Sequence, residues 1–170
     1  VRDKYGNPWS YFNAGCAETV DAWQILAPVK NMPQGVLNIN HLIHSKYRAE
    51  ELLLSRADKK HIASPWGHES VVYGDKVINI RNMEGTAYPK NDGARNYIAN
   101  GEIGICCGDY KFKPCRKFDD NSLRVEFSSQ KGYGYYYNFA NFNEETGTND
   151  LELAYALTVH KSQGSQFDTV

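Results

Sequence analysis

From residue 71 to residue 142 the apolar side chains of this chain recur with a period of two, and on either side of that stretch they do not. A period of two sets every second side chain on one face of a strand, which commits the stretch to sheet. In 75–82, Ile78 and Ile80 share a face; in 101–108, Ile103, Ile105 and Cys107 do. Residues 122–129 alternate Leu123, Val125 and Phe127 against Arg124, Glu126 and Ser128, and 133–142 set Tyr135, Tyr137 and Phe139 together. Four short strands parted by Gly, Asn and Asp turns predict a small antiparallel barrel. Between the first two lies Met83 to Asn100, a long polar segment rich in Gly and Asn, which reads as a functional or mobile loop.

The flanks have a different texture. AWQILAPV at 22–29 reads as a compact apolar strand, stopped by Pro28 and the turn-rich KNMPQG of 30–35. Val36, Ile39 and Ile43 then recur at i, i+3 and i+7 with Leu42 beside them, a helical stripe that leaves Asn38 and His41 off it. AEELLLSR at 49–56 extends that helix or forms a second one, with a solvated outer face. From Asp150 the run LELAYALTV is again an apolar strand. The chain thus divides at about 1–70, 71–149 and 150–170, an α/β chain interrupted by a β-barrel and resumed after it.

Composition bounds the chemistry. With 170 residues, 41% of them hydrophobic, and no apolar run near the ~18 residues a membrane helix needs, the expectation is a soluble globular protein with no membrane partner. No charged-then-apolar leader opens the sequence, so the expected location is cytoplasmic. A net charge of −1 carries no nucleic-acid signature, and any phosphate binding must come from a local patch. Cys16, Cys106, Cys107 and Cys115 form no CxxC pair, and Cys106 and Cys107 face opposite sides of a strand, so reduced thiols rather than a zinc site are expected. His41, His44, His61 and His68 show no metal-ligand spacing and read as surface positions. No Ser–His–Asp or paired-carboxylate constellation stands out, and no catalytic residue is assigned.

One polar stretch, TVHKSQG at 158–164, follows the last strand directly. Ligands of open α/β sheets bind beyond the carboxyl ends of strands, where backbone N–H groups, hydroxyls and a lysine suit phosphate oxygens. A solvated loop remains the alternative from chemistry alone. The order of the residues adds more: AYALTVHKSQGSQFDTV (154–170) resembles motif V of superfamily 1 helicases, in the RecD-like, UvrD-like branch that moves 5′ to 3′ on DNA. GDKVINIRN (74–82) with ANGEIG (99–104) is similar to the lead into that family's inserted barrel, and WQILAPVKNMPQGVLNINHLI (23–43) is similar to its motif IV region.

The resemblance implies a partial RecA-like, P-loop NTPase-type domain, the second of the motor, with an inserted small antiparallel SH3-like barrel. It implies that Thr158, His160 and Lys161 lie along single-stranded DNA, and that Ser162, Gln163, Gly164, Gln166 and Lys30 couple DNA to nucleotide. Gln166 stands where the family usually has Glu, and Lys30 where it tends to use Arg. On the barrel, the outward Tyr136 is a candidate base-stacking residue, and Arg81, Lys90, Arg95 and Lys111 a candidate basic rim. No GxxxxGK[ST] loop occurs, so ATP and Mg²⁺ belong to the intact parent and its other RecA-like domain, and none is expected on this portion. The family's arginine-bearing motif VI would follow motif V, so the expectation is a C-terminal helicase fragment that cannot hydrolyse ATP by itself. Two alternatives stay open: a non-catalytic binding module with an SH3-like barrel, and a degenerate helicase relative in which partner binding matters more.

Overall fold

Among the described residues the strands form a six-stranded antiparallel sheet, a parallel pair and two short antiparallel pairs. The computed structural model describes residues 15–57, 65–90, 93–107, 122–143 and 148–170. In chain order the elements are β1 (Ile25–Ala27), α1 (Val36–Tyr47), α2 (Ala49–Ala57), β2 (Lys76–Asn79), β3 (Met83–Glu84), β4 (Ala87–Tyr88), β5 (Tyr97–Ile98), β6 (Ile103–Cys107), β7 (Ser122–Phe127), β8 (Gly134–Asn138), β9 (Phe142–Asn143), β10 (Thr148–Asn149), β11 (Leu151–Leu153) and β12 (Ala156–Thr158). The fold is mixed α/β, with mostly antiparallel sheet and few helices.

The larger sheet has six strands in the order β11-β2-β6-β7-β8-β4, all antiparallel. Five of its strands come from the period-two stretch and β11 from the apolar run after it, and the faces of the long strands are those the alternation dictates. Leu123, Val125, Phe127, Tyr135 and Tyr137 enter one core with Val77, Ile98, Cys106 and Leu151. Ile78 and Ile103 enter a second core with Ala17 and Val20, against which Ile80 and Ile105 pack. The strand expected over 133–142 stops at Asn138, and Phe139–Asn141 form a 3-10 turn. Among the described residues β11 and β4 are the sheet's two edges, and they do not pair with one another.

The polar side of the β7 alternation is covered as well. Arg124 and Glu126 are both buried, Arg124 against the rings of Tyr88 and Tyr136 and Glu126 under residues 15 and 16. Glu126 accepts the N–H groups of Gly15 at 2.9 and 3.1 Å and of Gly132 at 3.0 Å, and the Cys16 thiol at 3.4 Å. A carboxylate with that many donors is satisfied away from water. The Met83–Asn100 segment, expected as a loop, supplies β3, β4 and β5; β3 pairs with β5 and β4 with β8.

The second sheet is small: β1 pairs with β12 in parallel, Ile25 opposite Ala156 and Ala27 opposite Thr158. The run LELAYALTV, expected as one strand, is therefore two. Leu151–Leu153 pairs with β2, the chain steps across Ala154 and Tyr155, and Ala156–Thr158 pairs with β1. Two buried amides hold the step. Asn40 donates to Leu153 O at 2.8 Å and Ala156 O at 3.2 Å and accepts from Ala156 N at 2.7 Å. Gln24 donates to Ala154 O at 3.0 Å and Tyr155 O at 3.1 Å.

Helix α1 confirms its period but not its stripe. Its buried residues are Val36, Asn40 and His44, whereas Leu42 is exposed. His44, read as a surface residue, has Nε2 2.9 Å from Asp75 Oδ2. Asp75 also accepts from Val72 N at 2.7 Å, Tyr155 Oη at 2.8 Å and Arg48 Nε at 3.1 Å. The polar i, i+4 pair Asn40 and His44 thus faces polar backbone and a buried carboxylate, a demand that apolar residues could not meet.

Candidate functional site

The turn after β12 is built from its own hydrogen bonds. Ser162 N donates to Thr158 O at 3.1 Å, and Ser165 N to Ser162 O at 3.1 Å. Thr158 Oγ1 accepts Lys161 N at 3.2 Å, and Ser162 Oγ donates to Val159 O at 2.9 Å. Gly164 has φ +86°, the left-handed region, and a side chain there would meet open space, so the turn and not crowding calls for glycine. His160, Gln163, Gly164 and Gln166 are exposed, while Thr158, Lys161 and Ser162 are half-buried. Beyond the turn the chain runs back beside residues 21–24, with Asp168 N donating to Asp21 O at 3.2 Å and Gln24 N to Thr169 O at 2.9 Å.

The turn after β1 lies alongside, as the parallel pairing requires. Val36 N donates to Val29 O at 3.0 Å and Leu37 N to Lys30 O at 3.2 Å, so the first turn of α1 closes on this loop. Gly35 permits it: a Cβ there would sit 2.6 Å from Lys30 O. Lys30 and Lys161, assigned by resemblance to nucleotide coupling and to DNA respectively, meet on one carboxylate. Lys30 Nζ donates to Glu152 Oε1 at 2.9 Å and Lys161 Nζ to Glu152 Oε2 at 2.8 Å. Burial pushes the Glu152 carboxyl up, but the hydrogen bonds from Lys161 and Lys30 outweigh it and hold the group below its ordinary value. Its neighbour Glu69 moves the other way: burial raises it, although Leu153 N donates to it at 2.8 Å.

A cleft of about 790 Å³ separates the β12 turn from the larger sheet. One wall is His160, Lys161 and Gln163–Gln166; the other is Asn100–Ile103 with Ser128 and Ser129, and Asp21 lies between. Two of the sequence blocks that carry the helicase resemblance thus face each other across open space. The second wall is tightly braced. Gly101 N donates to Asn79 O at 2.7 Å, Asn79 Nδ2 to Ala99 O at 2.8 Å and Ala99 N to Glu102 Oε1 at 2.9 Å, while Ser129 Oγ donates to the other Glu102 oxygen.

The remaining candidates lie elsewhere. Tyr136 is exposed on β8, with the Arg124 guanidinium 4.4 Å from its ring centroid and 4.8 Å from that of Tyr88, so one ring face is taken. Arg81, Lys90 and Arg95 are exposed, with Arg81 Nε 3.5 Å from Asp150; Lys111 and Cys115 lie outside the described residues, as does His61. Among the described residues no group of three or more His, Cys, Asp or Glu is arranged to hold a metal ion, and no helix is long and apolar enough to cross a membrane.

Sequence reasoning passed over Glu152, Asn40, Gln24 and Lys76. Glu152 is a lone carboxylate inside an apolar run, and Asn40 an amide four residues after Val36, on the helical face that Val36 begins; each breaks the local pattern, which was the available signal. Lys76, in β2, donates to Trp23 O at 2.6 Å with its ammonium 4.7 Å from the Trp23 ring centroid. Burial pulls its pKa down to about 8, against the pull of Asp21.

No protein-family model matches the chain. It is similar to the uncharacterized protein MJ1519 of Methanocaldococcus jannaschii, at 30% identity over 162 residues that take in 88% of this chain. The chain spans only 12% of that protein's length, so it corresponds to one segment of a much longer relative.

Proposed function

We propose that this chain is part of the second RecA-like domain of a RecD-like, superfamily 1 DNA helicase, carrying an SH3-like insertion, and that it contacts single-stranded DNA and couples that contact to ATP. The observation that carries this reading is the juxtaposition at the β1–β12 pair. Two parallel strands end side by side, and their turns offer Lys30 and the Thr158–Gly164 segment beyond the carboxyl ends, where α/β sheets bind ligands. The polar cleft beside them, with Asn100–Ile103 opposite, is a path for a strand. An all-antiparallel sheet drawn from residues between β1 and β12 is in keeping with an inserted barrel. ATP and Mg²⁺ are assigned to the rest of the parent, since this sequence has no P-loop.

Fluorescence anisotropy with a labelled deoxythymidine oligonucleotide tests the reading. Binding by the 170-residue chain is expected to be weak and to fall steeply with salt, with a log–log slope of about −0.7 for each phosphate contacted on a single strand. Thr158→Ala and His160→Ala should each weaken it several-fold. The pure chain should show no DNA-stimulated ATP hydrolysis. Tight, salt-independent binding would favour instead a dedicated module built on the sheet, the reading for which the exposed Tyr136 speaks.

A further inference from the structure

Several carboxylates among the described residues are held by backbone N–H groups, and Glu152 is held differently. Asp75 accepts the backbone N–H of Val72, Glu126 those of Gly15 and Gly132, and Glu69 that of Leu153. Such partners are part of the fold and cannot leave without unfolding it locally. The partners of Glu152 are two lysine ammonium groups, one on each oxygen, on long side chains rooted in two turns. Glu152 lies beneath them, its side chain 18% exposed, while those of Lys30 and Lys161 are 43% and 34% exposed. The lysines therefore present their outer sides to solvent. Flexible ammonium groups lose their partner with little disturbance to the backbone.

The pattern of the trio is that of an occupied anion site. Two cations approach the two oxygens of one anion at 2.9 and 2.8 Å, as they would the two non-bridging oxygens of a phosphodiester. We propose that Lys30 and Lys161 form a single phosphate clamp, and that Glu152 fills it as a built-in stand-in until an incoming phosphate group takes the two ammonium groups away. This rests on the strand-contact reading but changes its parts: Lys30 and Lys161 serve one site rather than separate nucleotide and DNA sites. The ligand chemistry is a phosphate group, carried either by a nucleic-acid strand or by a free polyphosphate such as that of a nucleotide. Glu152 lowers the clamp's affinity for either, so that only ligands with further contacts along the 158–166 turn hold it open.

Glu152→Gln keeps the shape of the side chain and removes the competing charge. Its far-UV spectrum and thermal unfolding establish that the variant is folded, and Glu152→Ala serves as a second variant in which no side-chain oxygen remains. Anisotropy with a labelled deoxythymidine oligonucleotide should show tighter binding by E152Q than by the unaltered chain, by about tenfold at low salt, the scale of one charge-assisted hydrogen bond. The salt slope should steepen by about 0.7, one added phosphate contact on a single strand. Adding either Lys30→Ala or Lys161→Ala to E152Q should abolish the gain, because the clamp needs both. A parallel titration with inorganic tripolyphosphate separates the sources: binding of oligonucleotide alone assigns the clamp to a strand, and binding of tripolyphosphate assigns it to a free polyphosphate. If tripolyphosphate binds E152Q more tightly than the unaltered chain while no oligonucleotide binds either, the clamp stands and the strand-contact reading fails. If neither probe binds E152Q and E152A more tightly than the unaltered chain, or if the gain survives loss of Lys30, the clamp is overturned.

Discussion

The six-stranded sheet and the β1–β12 pair are held together by different chemistry. The sheet closes on aromatic and branched side chains: Phe127, Tyr135 and Tyr137 are fully buried, with ring centroids 6.0 and 6.4 Å apart in the pairs Phe127–Tyr135 and Phe127–Tyr137. The parallel pair has three residues per strand and leans on side-chain amides, with Asn40 and Gln24 satisfying the backbone of the step that feeds it. Apolar burial is non-directional and tolerates small shifts, whereas amide bonds to a backbone fix a position. A region that must present polar groups at fixed places is served by the second kind of support. The difference predicts that the sheet governs global stability and the pair governs ligand contact.

The hardest blow to the comparison comes from Tyr137→Ala. Emptying the sheet core should cost about 4 kcal/mol in urea unfolding, the range for a large aromatic truncated to alanine. A loss below about 1 kcal/mol would mean that the sheet is not the stabilising unit. Asn40→Ala should cost less, about 2 kcal/mol, by orphaning the Ala156 N–H and the Leu153 and Ala156 carbonyls. Its sharper signature is local: amide exchange at Ala156 should speed up while amides of β7 keep their protection. Equal acceleration in both regions would dissolve the distinction between them.

Lys76 bridges the two regions, from β2 to Trp23, and gives the comparison a pH dependence. It releases its proton near 8 in the folded chain and near its ordinary 10.5 when unfolded, the first cause being burial. Between those values unfolding takes up a proton, so rising pH favours the folded state. Tyr135, pushed up to about 12 chiefly by burial, acts oppositely above its ordinary value of 10.0, where unfolding releases a proton. Burial also raises the Cys106 and Cys107 thiols above their ordinary 9.0, so unfolding releases their protons once the pH passes that value. The urea midpoint should therefore rise just above pH 8 and turn down beyond about pH 9, and the early rise should vanish in Lys76→Met. At the small end, Gly164→Ala should cost about 1 kcal/mol for its positive φ. Thr158→Ala and His160→Ala should change stability by no more than about 0.5 kcal/mol while weakening strand binding. A large stability loss at His160 would place it in the framework rather than at the surface.

Much of the larger sheet was legible because strand faces follow from a local period: Leu123, Val125, Phe127, Tyr135 and Tyr137 share a core as their alternation predicts. Legibility ended where burial has two sides. The alternation sets Arg124 and Glu126 opposite the apolar face, yet both are buried, Arg124 against Tyr88 and Tyr136 and Glu126 under Gly15 and Cys16, and nothing local to β7 announces that cover. His44 read as a surface residue for a similar reason: its partner Asp75 is 31 positions away. LELAYALTV read as one strand because its apolar character is continuous, although the chain changes sheets within it.

By itself, the amino-acid sequence determined the alternating faces, the helix after Gly35 and the polar turn after the last strand, since each depends on neighbours a few positions apart. Only the tertiary structure decided that Lys30 and Lys161 share Glu152, across separations of 122 and 9 residues, and that the Asn100–Ile103 turn faces the 158–166 segment across a cleft. Ion pairs and clefts depend on distance in space, and that distance is set by which strands pair. Here the parallel register of β1 on β12 brings the two lysine turns together over one carboxylate.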